Sequence, residues 1–267
     1  MKTVKNILRP AGAVLFLLIF AGPILLLFLQ SVSSPWRFGT LFPGDVNFSG
    51  WGHVLSDPVL QNALWVTVSI GVAVTFINLL IAIPAARVLA SSEFRGKSMV
   101  DIILFMPILV PVIAVAMGLH LALIRLGLDD SWTGVVLVHL IPTVPYSIRI
   151  FRAGFERLGK MWVEQGRTLG SGTWQTFRLI ELPQLASSLR AAVFLTLVIS
   201  LSQYVLTVII GGGRVVTLPM LYYPYVSGGS DTILAAFSIL FAVVPLTGVL
   251  VMEAVMRLLV PYRFYRN

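Results

Sequence analysis

The side chains that could carry chemistry in this chain are few and widely spaced. There is no cysteine, and the three histidines, His53, His120 and His139, stand apart with no second ligand at metal-binding spacing. Neither a disulfide framework nor a metal site is expected. The apolar stretches hold no nucleophile–base pair either, which argues against an intramembrane enzyme. What remains is a polar stripe, Thr196, Ser200, Gln203, Tyr204 and Thr207. Its spacing of i, i+4, i+7, i+8 and i+11 is gathered onto one face by a helix. In apolar surroundings such a stripe has two readings. It lines a path for a polar solute, or its hydroxyls bond neighbouring helices and carbonyls one turn back. Asn78, His120 and His139 read as packing residues, and Glu253 with Arg257 forms an i,i+4 pair suited to a helix end.

The elements that hold these residues follow from composition. Hydrophobic residues make up 57% of the 267 positions and charged residues 11%, too few charges to cover a water-facing surface. The +8 formal charge is dispersed between apolar runs instead of forming a patch, which excludes a nucleic-acid partner. Six stretches free of Asp, Glu, Lys and Arg approach the roughly 20 residues that span a bilayer core: Ala11–Gln30, Pro58–Ala86, Ile102–Ile124, Ser131–Ile148, Ala191–Gly213 and Thr232–Met252. The fourth, with His139, Pro142 and Pro145, is the weakest. The first exceeds the apolar core of a signal peptide, so it reads as an anchor. With the N-terminus cytoplasmic, 16 of the 19 Lys and Arg residues fall on one side of the membrane, which orients both termini toward the cytoplasm. The expected fold class is an all-α, multi-pass integral membrane protein of six transmembrane helices. The external segment 31–57 is expected to lie along the membrane surface, with Trp36 and Trp51 at headgroup level.

The cytoplasmic stretch between the fourth and fifth spans, 149–190, is far longer than a helix hairpin needs. Phe151, Phe155, Leu158 and Trp162 follow helical spacing among basic residues. Gly170-Ser171-Gly172-Thr173 then breaks the pattern, Thr173 being placed to cap a following short helix and Pro183 to end it. This predicts a helix–turn–helix knob. Two readings are open at this level: it packs on its own helix ends and on anionic headgroups, or it docks a soluble partner.

Within that knob, Glu164-Gln165-Gly166, Gly170, and Ile180-x-Leu182-Pro183 resemble the EAA loop of ABC import permeases. In that loop Glu-Ala-Ala is followed by a Gly six residues after the Glu and, after nine more residues, by Ile-x-Leu-Pro. Gln165 and Gly166 replace the two alanines, and a helix-interior Gly costs about 1 kcal/mol relative to Ala, so somewhat weaker docking or local fraying is expected there. Asn62-Ala63-Leu64-Trp65 and Met106-Pro107 through Pro111 are also similar to the permease core. Gln203-Tyr204 looks like the Glu-Phe pair of permeases for iron, polyamine and thiamine, without the acid.

The resemblance implies a type I importer permease fold with cytoplasmic coupling helices. Its parts would be a first helix and external segment at 1–57, a five-helix core at 58–257 with the EAA loop at 150–190, and a cytoplasmic tail at 258–267. It implies a bacterial cytoplasmic membrane protein that passes a small solute delivered by an external binding protein. The partners would be a second permease subunit, identical or homologous, and two ATPase subunits. The chain would be no enzyme and carry no cofactor, since it lacks a Gly-x-x-x-x-Gly-Lys-[Ser/Thr] loop and ATP-Mg would sit on those ATPases. The competing class is an ATPase-independent secondary transporter or channel, which would show internal repeats or mid-membrane charges.

Overall fold

The computed structural model describes residues 2–34, 45–228 and 230–259. Trp36 and the tail beyond Leu259 fall outside them. In chain order the elements are α1 (Lys2–Ser31), α2 (Ser49–Ser56), α3 (Pro58–Ser91), α4 (Lys97–Leu109), α5 (Val112–Leu126), α6 (Trp132–Leu158) and α7 (Lys160–Thr168). There follow α8 (Thr173–Thr176), a π-helical turn (Phe177–Glu181), α9 (Leu182–Gln184), α10 (Ala186–Leu201), α11 (Tyr204–Gly211), α12 (Leu218–Gly228) and α13 (Asp231–Leu259). Among the described residues, extended pairing is confined to one antiparallel bridge, Ser33 to Val46.

Among the described residues three helices are long and apolar enough to cross a bilayer: Pro58–Ser91, Trp132–Leu158 and Asp231–Leu258. A fourth is reached if Thr173–Gln184 and Ala186–Leu201, bent by 74°, count as one span. Two of the expected spans are interrupted. The third breaks between α4 and α5 at Val110, whose φ −86° and ψ 137° are extended. Pro111 explains the break, because its ring crowds the preceding residue out of the helical region. The fifth breaks between α10 and α11 at Ser202 and Gln203, with Gln203 at φ −77° and ψ 82°. The fourth, the weakest in sequence, is the most internal of the three long helices, and runs ten residues further than expected, to Leu158.

The chain divides into two compact units. The first comprises Met1–Asn62 and Leu221–Val243. Within it, Trp51 Nε1 donates to Ser31 Oγ at 3.2 Å and Thr232 Oγ1 donates to the Ser33 carbonyl at 3.1 Å. Phe16, Leu17, Phe20 and Ile24 of α1 are largely exposed, as a lipid-facing helix would present them. The second unit runs from Ala63 to Met220 and resumes at Val244. Its core lies where α3 (Ile70, Val74), α5 (Ala116, Leu123), α6 (Val135, Val136, Val138) and α11 (Leu206, Ile210) meet, and α10 packs along α6. Lipid tails are as apolar as these side chains, so close packing and interhelical hydrogen bonds hold such a bundle together.

Candidate functional site

The knob is built as two short arms locked together. The expected continuous amphipathic helix is divided. Phe151 and Phe155 belong to the end of α6 and are buried, the chain turns at Gly159 with φ 72°, and α7 carries Met161 and Trp162 outward. α7 closes on Gly170, whose φ is 82°. There Ser171 N–H donates to the Gly166 carbonyl at 3.1 Å and Gly170 N–H to the Arg167 carbonyl at 2.9 Å. This six-to-one and five-to-two pair is the Schellman closure, which requires a left-handed residue where Gly170 stands.

Gly166 is not a frayed point. It is buried in an unbroken α7, and a Cβ placed there would come within 2.5 Å of Ile180 Cδ1. The glycine thus lets α7 sit directly on the π-helical turn. Ser171 Oγ and Thr176 Oγ1 hydrogen-bond between the arms.

Gly172, not Thr173, holds the N-cap position of α8, and the Gln175 side chain accepts from its N–H at 3.3 Å. Nor does Pro183 end its helix. It sits in the first turn of α9, and the chain bends only at Leu185. Lacking an N–H, Pro183 removes one rung of the ladder. The Leu182 N–H instead reaches the Phe177 carbonyl, closing the wide turn.

The motif residues therefore divide by face. Glu164, Gln165 and Gly170 are exposed, together with Met161, Trp162, Leu169 (88%) and Trp174 (68%). Gly166 is buried, and Ile180, Leu182 and Pro183 are half-buried. The exposed surface combines these apolar and aromatic side chains with Glu164, Lys160 and Arg167, and aromatic, Met and Arg residues are enriched in protein-docking patches.

Behind it lies a cleft of about 650 Å³ lined by Arg87, Ser91, Phe155, Lys160, Glu164, Arg167 and Glu181. Glu181 is 1% exposed; its Oε1 accepts from Arg87 Nη2 at 2.6 Å, while its Oε2 is buried without a partner. Burial pushes the Glu181 carboxyl above the ordinary glutamate range, and the Arg87 guanidinium draws it part of the way back.

Two further pairs join helices near the knob: Arg152 to Asp101, at 2.9 and 3.0 Å, and Arg190 to Glu253 at 3.0 Å. Glu156 and Asp101 together hold the Arg152 guanidinium above its usual range. Glu253 also meets Arg257 at 3.6 Å, the expected i,i+4 pair. The three interhelical pairs span 94, 51 and 63 positions, separations at which no local pattern announces them.

The polar stripe is split by the break at Gln203. Thr196, Ser200 and Thr207 are buried and bonded across helices. Asn78 Nδ2 donates to Ser147 Oγ at 2.7 Å and to Thr196 Oγ1 at 2.6 Å. The two ring nitrogens of His139 meet Ser200 Oγ and Thr207 Oγ1, each at 3.0 Å. Asn78 and His139 are thus members of networks, not lone polar residues. Gln203 and Tyr204 are partly exposed at the start of α11, and the Gln203 carbonyl accepts from Thr207 Oγ1. Among the described residues no group of three His, Cys, Asp or Glu is placed to hold a metal.

The family of binding-protein-dependent transport system inner membrane components matches residues 78–264. The molybdate/tungstate transport system permease protein WtpB of Pyrococcus abyssi is 33% identical over 48% of this chain. The chain spans about half of that relative's length, 52%. The sulfate transport system permease protein CysW of Escherichia coli is 30% identical over 72% of each chain. In structure, a bacterial ABC transporter involved in import of the acidic polysaccharide alginate aligns with a TM-score of 0.71 and 18% identity, over 94% of this chain and 96% of that one. The 187-residue match, read with the EAA-like knob before α10, places this chain in the family of binding-protein-dependent transport system inner membrane components.

Proposed function

We propose that this chain is the membrane-spanning permease subunit of an ATP-driven importer in the bacterial cytoplasmic membrane. The observation that carries the reading is the knob itself: its Schellman closure at Gly170 and its Gly166–Ile180 contact make a rigid body, and its outer face is left aromatic and uncovered. Two ATPase subunits holding ATP-Mg would dock there, a second permease would complete the path, and an external binding protein would deliver the solute.

In this reading the chain crosses the membrane six times with both termini cytoplasmic, α4 with α5 and α10 with α11 each serving as one interrupted span. Residues 1–57 form the first span and its external segment, 58–257 the transporting core, and 258–267 a cytoplasmic tail. The solute is a small oxyanion. Relatives carry sulfate and molybdate/tungstate in their names, and the partly exposed pair at the α11 start, Gln203-Tyr204, brings no acid to the path. Interrupted membrane helices offer unbonded N–H groups and a positive dipole end to anions. Gln203 and Tyr204 line this path, whereas Thr196, Ser200 and Thr207 hold its wall.

The test is purification of the tagged chain from its own membranes. A nucleotide-binding subunit is expected to come with it in equal amount, and recovery of the chain without one, with uptake indifferent to ATP, would leave the secondary-transporter reading standing.

A further inference from the structure

The knob moves, if it moves, as one block, because α7 is seated on the π-helical turn through Gly166 and Ile180 and tied by Ser171 and Thr176. The main chain joins it to the rest of its unit at two bends. One is Gly159, at φ 72° with open space where a Cβ would lie; the other is Leu185, where the helix axis turns by 74°. A block pivoting on these bends would pull α6 and α10, to which it is covalently joined, but not α3.

Among the described residues the charged link from the block to α3 is Arg87 with Glu181, at 2.6 Å and with the carboxylate 1% exposed, beside a pocket shared by Trp174 and Phe177 with Ile83 and Pro84 of α3. A charge-assisted bond shielded from water is short and does not trade partners readily. Nine residues further into the membrane along α3, Asn78 bonds Ser147 of α6 and Thr196 of α10. Helix α3 is therefore gripped at two levels, once by the block and once by the spans it would have to follow.

Resting on the permease reading above, we propose that the Arg87–Glu181 pair is the strut through which displacement of the block from Lys160 to Glu181 reaches α3. Both are positioning residues: they act by tying two bodies together. Arg167 lines the same cleft as Glu181, whose Oε2 is buried without a partner.

Because the chain has no cysteine, two introduced cysteines are its sole labelling sites, and complexes carrying each single cysteine give the background to subtract. Spin labels at Ser91→Cys, on the end of α3, and Thr168→Cys, on the block, are measured in the assembled complex, nucleotide-free and after trapping with ADP and vanadate. In the otherwise unaltered chain the separation is expected to stay the same in both states. In the double variant Arg87→Ala/Glu181→Gln, which leaves no buried charge unpaired, it is expected to match the parent without nucleotide and to lengthen on trapping. Arg87→Lys, which keeps the charge, is expected to follow the parent. A double variant whose labels stay fixed on trapping, or a parent whose labels separate as far as the variant's, overturns the strut. Failure of any nucleotide-binding subunit to assemble with the parent chain is a different result, which removes the permease reading instead.

Discussion

Gln203 stands at the break between α10 and α11, where its carbonyl accepts from Thr207 Oγ1 and its side chain is partly exposed, whereas both ring nitrogens of His139 meet Ser200 and Thr207. A neutral imidazole offers one donor and one acceptor, and two hydroxyls satisfy either arrangement. Those positions are thereby committed to holding helices together. Gln203 and its neighbour Tyr204, partly exposed at the start of α11, are the members of the stripe proposed to meet a solute. Replacing Gln203 by Glu adds a charge where an oxyanion is expected to pass. Two unit charges 4 Å apart repel by about 4 kcal/mol at an effective dielectric constant of 20. Even a quarter of that, about 1 kcal/mol, lowers rates roughly fivefold. Gln203→Glu is therefore expected to reduce sulfate or molybdate uptake by at least about fivefold in membrane vesicles. Unchanged uptake of both anions in that variant would remove Gln203 from the path.

At the level of elements, the knob depends on one left-handed residue. Gly170→Asp places a side chain at φ 82°, a conformation that costs an ordinary L-residue about 1–2 kcal/mol, and it loosens the closure of α7. The variant is expected to insert normally yet to lose ATP-dependent uptake by about tenfold. Full uptake with a normal partner would show that the closure at Gly170 does not transmit force.

Part of this element was legible in sequence, because Gly170 acts through its own backbone and spacing records it, whereas the cap and the bend expected at Thr173 and Pro183 fall at Gly172 and Leu185. Gly166 was not legible: its reason for being small is Ile180, fourteen positions on, and only packing brings the two together. The break at Pro111 was equally visible as a proline, but a proline alone does not distinguish a tolerated kink, as at Pro107 within α4, from an interruption. The break at Ser202–Gln203 carries no proline or glycine at all, and the helical spacing of the stripe ran straight across it. The three interhelical ion pairs stayed hidden for the same reason as Gly166, since tertiary packing alone brings their members together.

For the molecule as a whole, the proposed orientation rests on where basic residues lie, and it is directly measurable. Single cysteines at Thr168 and Trp174, both exposed, are expected to react with a membrane-impermeant maleimide only after cells are opened. Labelling of either in intact spheroplasts would place the knob on the wrong side and dismantle the topology. The same exposure has a cost for a copy that meets no partner. Leu169, Trp162 and Trp174 would then stand open to the cytosol, and uncovered apolar surface of this kind invites clumping and attack by proteases. If the knob docks an ATPase as proposed, synthesis of the two in matched amounts becomes a condition of the chain's survival, and a cell that overproduces it alone should find most of it degraded.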